Sequence, residues 1–265
     1  MNIFNYITII VFSLLTTIIF IFLILYSDRK TKEPKSVIFL CLISGILPIF
    51  LSLLFGQYIL PKLQIISPGL FDYNNNIFKV LILALVEEYS KLIVLYLILS
   101  RNKNFDDIYD GFVYSSLIAL SFAAFESLIY VFNETNIDTM KSLALLRGIT
   151  TIPLHLICGI SMGYFMGKEK FSWGTKTRVI NLILCLIFPT FLHFIYNFTL
   201  SNIVIKYLNS SLLILIVIIF FIPFYLIGLL FISKTKYLNN KYINNEHYKN
   251  LMTKNEYNEI LKNKC

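Results

Sequence analysis

Polar positions are sparse along this chain and fall in short clusters, separated by apolar stretches long enough to cross a lipid bilayer. A helix rises about 1.5 Å per residue, so about 20 apolar residues cover the roughly 30 Å of hydrocarbon. Seven stretches meet that length: Phe4–Tyr26, Val37–Tyr58, Ile77–Leu99, Gly111–Phe132, Arg147–Gly167, Val179–Leu200 and Leu212–Ile232. The pattern predicts an all-α, polytopic membrane helix bundle of about seven transmembrane helices. The first stretch has neither a basic segment before it nor a small-residue cleavage site after it, which marks a retained helix rather than a signal peptide.

The basic residues orient the bundle. Arg29, Lys30, Lys32 and Lys35 follow the first stretch, Arg101 and Lys103 the third, and Lys168, Lys170, Lys176 and Arg178 the fifth, while Lys234, Lys236 and Lys241 begin the tail. The alternate loops carry mainly Lys62, Lys79, Lys141, Arg147 and Lys206. By the positive-inside rule the N-terminus lies outside and the C-terminus in the cytoplasm. Residues 1–233 then form a membrane-embedded domain, and the Asn-, Lys- and Tyr-rich residues 234–265 a polar cytoplasmic tail, either a short helix or a disordered extension. Asn74-Asn75-Asn76 marks an irregular outer loop, and no internal repeat is visible.

Composition agrees with the pattern. The 265 residues are 57% hydrophobic with a mean hydropathy of +0.73, and 14% are charged, against roughly 25% in soluble domains. The net charge of +8 reflects topology: no soluble domain interleaves basic and aromatic residues, so nucleic acid is excluded as a partner and the bilayer is the surface this chain meets. Cys41, Cys158 and Cys185 lie in apolar stretches without CxxC spacing and read as packing residues, and Cys265 is placed too late for a prenylation box.

Against this background the intramembrane polar residues stand out. Glu87 and Glu88 are adjacent in the third stretch with Lys91 one turn further on, Glu126 is in the fourth, His155 in the fifth, and His193 with Asn197 in the sixth. A carboxylate at membrane depth costs at least about 2.5–3.5 kcal/mol, so such residues face a cavity or a partner. A single buried histidine is as readily a packed core residue as a ligand, but two histidines with three carboxylates point to a site. His193 and Asn197, four apart, share one helical face. Counted from the outer helix ends, Glu87 lies roughly 15 Å deep, His155 roughly 13 Å, His193 roughly 10 Å and Glu126 roughly 9 Å. They converge on the outer half of the bilayer. Peptide hydrolysis needs a base that deprotonates water and donors or a metal that hold the oxyanion, although a proton-coupled carrier uses the same groups. Pro153 kinks the chain next to His155 in a way that can shape a cavity, and Gly159, Gly163 and Gly167 form a small-residue packing stripe.

The ordered blocks resemble the PrsW-type intramembrane proteases, a family within the superfamily that includes the CAAX prenyl-protein endopeptidases and bacteriocin-immunity membrane proteins. They are Asp28-Arg29-Lys30-Thr31-Lys32-Glu33-Pro34; Glu87-Glu88-Tyr89-Ser90-Lys91, the family's EExxK; Asp110-Gly111-Phe112-Val113-Tyr114; Ser121-Phe122-Ala123-Ala124-Phe125-Glu126 with Tyr130; Arg147 with Pro153-Leu154-His155; and His193-Phe194-Ile195-Tyr196-Asn197. Ser115, Ala119 and Ser121 stand where glycines are usual, and Ser127 replaces the usual Asn.

The resemblance implies that Glu87 or Glu88 activates water, that Glu126, His155 and His193 shape the site and hold a divalent metal, and that Asn197 hydrogen-bonds the substrate carbonyl or the water. Two His and one Glu with an open position suit zinc; a metal-free glutamate mechanism is the alternative within the superfamily. Lys91 would pair with one of the two glutamates and leave the other free to take a proton. The implied substrate is a single-pass protein of a bacterial plasma membrane, cut near its extracytoplasmic side, an anti-sigma factor by analogy. Two rival readings are a proton- or ion-coupled transporter, which ordinarily shows repeats and polar residues through both halves of the bilayer, and a non-catalytic immunity or scaffold protein on the same fold.

Overall fold

The computed structural model describes residues 3–28, 33–66, 77–100, 102–172, 174–200 and 210–243. The Asn74–Asn76 loop, the basic residues Arg29, Lys30, Lys32, Arg101 and Lys206, and the tail beyond Ile243 with His247 and Cys265 lie outside the described residues.

Every described element is a helix. After α1 (Ile3–Ser27), the second apolar stretch runs as α2 (Lys35–Ser44), α3 (Leu47–Leu54), a π-helical turn (Phe55–Ile59) and α4 (Leu60–Ile66). Then come α5 (Ile77–Leu99), α6 (Ile108–Phe132), α7 (Ile137–Ile149), α8 (Thr151–Phe171), α9 (Thr175–Thr199) and α10 (Ser210–Ile243). Among the described residues, five uninterrupted or bent rods are long and apolar enough to cross a membrane: α1, the run Lys35–Ile65, α6, the run Ile137–Phe171 and α9. At 23 residues α5 is also long enough, but Lys79, Glu87, Glu88 and Lys91 interrupt its apolar character.

Proline explains the breaks. It lacks an N–H and its ring crowds the carbonyl four residues back, so it is tolerated in a helix's first turn. Pro48 lies in the first turn of α3, just after the interruption at Gly45. Pro61 lies in the first turn of α4, and before it the chain widens so that the Leu60 N–H reaches back five residues to the Phe55 carbonyl. Pro153 lies in the first turn of α8, and the stretch expected to be one helix over Arg147–Gly167 divides at Thr150, whose φ of −120° and ψ of −61° turn the chain between α7 and α8.

The centre is the α6–α8 pair, buried along nearly its whole length. Small residues permit this approach: a Cβ at Gly163 would run into the Gly111 carbonyl, and Ser115 Oγ donates to the Gly159 carbonyl at 2.6 Å. α9 packs on α8 and α5, while α1 covers α6 and α7. Large apolar side chains such as Phe22, Leu97, Ile187 and Leu230 point outward, as a lipid-facing surface requires.

A polar clasp closes the end of the bundle opposite the candidate site. Asp107 and Asp110 cap α6 reciprocally, each carboxylate accepting the other's N–H, at 3.0 and 2.7 Å. Asn239 of α10 accepts from Ile108 N–H and donates to Asp107, so the first part of the expected tail continues α10 as a docked helix with Thr235 and Asn239 buried. Glu33 joins the clasp through Tyr114, which donates to its carboxylate. Burial pushes the Glu33 carboxyl up to about 7, with hydrogen bonds from Asp110 and Tyr114 opposing and the charges of Asp28 and Asp107 adding to the rise.

Candidate active site

Four helices bring the intramembrane polar residues into contact. Glu88 and Lys91, three apart on α5, point together into the bundle and are 0% and 1% exposed, so no solvent compensates them. Glu88 Oε1 accepts from Lys91 Nζ at 2.6 Å and from His193 Nδ1 at 2.8 Å. Lys91 Nζ also lies 3.0 Å from His155 Nδ1 and 4.3 Å from the centre of the Phe122 ring. An ammonium only donates, which makes His155 Nδ1 the acceptor and leaves its Nε2 to donate to Glu126 Oε2 at 3.1 Å. The same Glu126 oxygen accepts from Arg147 Nη2 at 2.6 Å, while Arg147 Nε donates to Ser127 Oγ and the guanidinium stacks on Tyr130. The two imidazoles meet edge to face with ring centres 4.9 Å apart.

Adjacent residues on a helix differ by about 100° of rotation. Glu87 therefore leaves α5 on a different side from Glu88 and lines a cavity of about 400 Å³ between α3, the π-turn, α5 and α6. Glu126 and Tyr130 form part of the same wall. Glu87 Oε2 lies 3.6 Å from His193 Nε2 but is buried without a hydrogen-bond partner among the described residues, as is Glu88 Oε2.

The residues fit a divalent cation on three observations. Glu87, His155 and His193 each offer a ligand atom within 4.8 Å of the others. A buried carboxylate oxygen among them has no donor. With neutral imidazoles, the three carboxylates exceed Lys91 and Arg147 by one negative charge, which is costly away from water unless paired. The cluster can hold a metal through Glu87, His155 and His193, with His155 giving up the Nε2 proton that it donates to Glu126 as the metal enters; Glu126 is already paired with Arg147. Asn197 lies half-buried one turn beyond His193 and makes no side-chain hydrogen bond among the described residues.

Sequence reasoning overlooked two parts of this arrangement. Arg147 counted there as a loop charge and as part of the block with Pro153-Leu154-His155, with no partner assigned, whereas it clamps Glu126; its place in that block was the available signal. Lys91 was expected to pair with a glutamate, but it also bridges to His155 on another helix, which spacing within α5 does not reveal.

Residues 33–227 match the sequence model of the PrsW family intramembrane metalloproteases. The chain is 32% identical over 179 residues to Protease PrsW of Oceanobacillus iheyensis, covering 67% of this chain and 76% of that protein. It is 30% identical to Protease PrsW of Clostridioides difficile over 71% of this chain and 77% of that protein, and 29% identical to that of Bacillus subtilis over 66% and 74%. No solved structure matches it. The matched span contains the whole buried Glu, Lys, Arg and His cluster, and its membrane-length helices make this a multi-pass protein of a bacterial plasma membrane. The chain belongs to the PrsW family of intramembrane metalloproteases.

Proposed function

We propose that this protein is an intramembrane endopeptidase that hydrolyses a peptide bond of a single-pass membrane protein near its extracytoplasmic side. The observation that carries the reading is the convergence of Glu87, His155 and His193 within 4.8 Å, beside a cavity whose wall includes both Glu87 and Glu126. Seven membrane helices with the N-terminus outside, and residues 234–265 on the cytoplasmic side, follow from the distribution of Lys and Arg. That topology sets the cluster in the outer half of the bilayer.

In this mechanism Glu87, His155 and His193 would hold the metal, so that Glu87 would take the place that the family resemblance implied for Glu126. A divalent cation, zinc by its ligand preference, would polarise the scissile carbonyl and acidify water. Glu126, on the cavity wall and steadied by Arg147, accepts the proton of the attacking water and returns it to the leaving amine. Glu88 fixes His193 by accepting its Nδ1–H, which aims Nε2 at the side of Glu87, and Lys91 balances the charge of Glu88. Asn197, one turn beyond His193, would donate to the substrate carbonyl, as the family resemblance implies. An anti-sigma factor is the substrate that the family analogy suggests.

Co-expression with epitope-tagged single-pass membrane proteins, anti-sigma factors among them, tests the reading. A shortened product is expected with wild type and not with His193→Ala at equal membrane abundance. Equal shortening with both would overturn it.

A further inference from the structure

The cavity beside Glu87 has a second wall that the mechanism leaves unused. It is made by the π-turn and its flanks, with Ser52, Leu53, Gly56 and Gln57 facing Glu87 and Glu126. Three features distinguish this wall. A Cβ built on Gly56 meets nothing within 4 Å, whereas Gly45, Gly111, Gly159, Gly163 and Gly167 all abut a neighbouring helix. Gln57 is an exposed carboxamide among exposed apolar residues, with Leu53, Leu54 and Tyr58 each more than half exposed on a segment that faces lipid. The π-turn and α4 pack mainly on their chain neighbours, and Pro61 brings no N–H to the turn. π-turns inside helices recur at functional sites.

A carboxamide at the outer edge of the hydrocarbon has few partners, and so does the backbone of a peptide unwound from its helix. Each supplies what the other lacks, since the carboxamide offers both a donor and an acceptor to a peptide's C=O and N–H. Building on the protease reading above, we propose that an unwound segment of the substrate lies in this cleft against Gly56, held by the Gln57 carboxamide, with its scissile bond turned toward Glu87 and Glu126. The absence of a side chain at Gly56 leaves room for the peptide, and Gln57 is a positioning residue. The larger cavity of about 550 Å³ between α5 and α9 is lined by apolar and tyrosine side chains such as Leu92, Tyr96 and Leu186 and includes none of the clustered Glu or His residues, so it is the rival location.

The test uses full-length protein in lipid nanodiscs and, as probe, a synthetic single-pass peptide of Leu and Ala with a Gly-Ser pair in its outer third. With the photo-crosslinker p-benzoylphenylalanine in place of Leu53, on the same wall but already a large side chain, the peptide is captured; with it at position 183 in the α5–α9 cavity, it is not. Capture at 183 alone, or at neither position, overturns the proposal, and this readout does not depend on cleavage. On the cleavage of the same peptide, Gln57→Ala raises KM by about threefold to tenfold with kcat little changed, and Gln57→Asn recovers part of the loss. Gly56→Leu lowers cleavage at least tenfold while thermal stability holds, and Ile183→Trp changes neither. Unaltered cleavage by Gly56→Leu and Gln57→Ala sinks the cleft assignment and leaves the protease reading intact. Capture of the peptide at position 53, with no cleavage of it by wild type, sinks the protease reading instead.

Discussion

Lys91→Met is the most informative single perturbation of the cluster. Lys91 is 1% exposed, donates to Glu88 at 2.6 Å and to His155 at 3.0 Å, and rests over Phe122. Methionine keeps most of the volume but strands the Glu88 carboxylate, which is 0% exposed and whose Oε2 already has no donor. Removing one partner of a buried pair costs about 3–5 kcal/mol because the other charge stays buried and uncompensated. At roughly 2–4 °C per kcal/mol for a chain of this size, the midpoint of thermal unfolding in detergent should fall by roughly 6–20 °C. Glu88→Gln alone should also destabilise, through the stranded ammonium. The double variant removes both charges, so it should recover most of the lost stability, giving a coupling well above the few tenths of a kcal/mol of independent sites. A Lys91→Met protein as stable as wild type, or a double variant with the two losses simply added, would refute the ion-pair reasoning.

Further predictions concern separate parts of the structure. Arg147→Ala removes the clamp on Glu126 and should lower cleavage roughly 10–100-fold at unchanged membrane abundance, with Arg147→Lys recovering a fraction; wild-type rates would show that the clamp is dispensable. Gly163→Ala should destabilise by about 1–3 kcal/mol or more, because its Cβ strikes the Gly111 backbone on α6, whereas Gly56→Ala should leave the unfolding midpoint unchanged; equal midpoints would contradict the packing account. Glu33 sets a pH dependence: its carboxyl loses its proton near 4.5 when unfolded and at about 7 when folded, so the native state holds the extra proton between those values. Stability should therefore fall as pH rises from about 4.5 to 7, by on the order of 3 kcal/mol, and level off above. Glu33→Gln should flatten that slope, and an unchanged slope would remove Glu33 as its source.

Much of the fold was legible because lipid imposes a simple rule: an apolar stretch of spanning length becomes helical, and each expected stretch is mostly helix, with breaks at Gly45–Ile46 and Thr150. Depth was legible too, since counting residues along each helix places Glu87, His155, His193 and Glu126 at similar heights. Rotation about each helix axis was not. Glu87 and Glu88 are neighbours in sequence, yet one faces the cavity and the other the bundle interior, and that difference decides which carboxylate lines the cavity and which is locked between Lys91 and His193. The break at Thr150 and the π-turn before Pro61 escaped because a hydropathy reading averages over the local hydrogen bonding that proline disrupts. The tail was read as polar, but Thr235 and Asn239, four apart, form a buried face that docks on the start of α6.

Hydrolysis at the Glu87, His155 and His193 cluster is tested most directly by isotope incorporation. Purified protein in liposomes, loaded with zinc, is incubated in ¹⁸O-water with a single-pass peptide substrate, and the products are weighed by mass spectrometry. One ¹⁸O should appear in the new C-terminal carboxylate with wild type, and no product with Glu87→Ala, His155→Ala or His193→Ala, each of which should also lose the bound zinc seen by elemental analysis. A wild type that leaves the peptide intact, or alanine variants that cut it at the wild-type rate, would contradict the account.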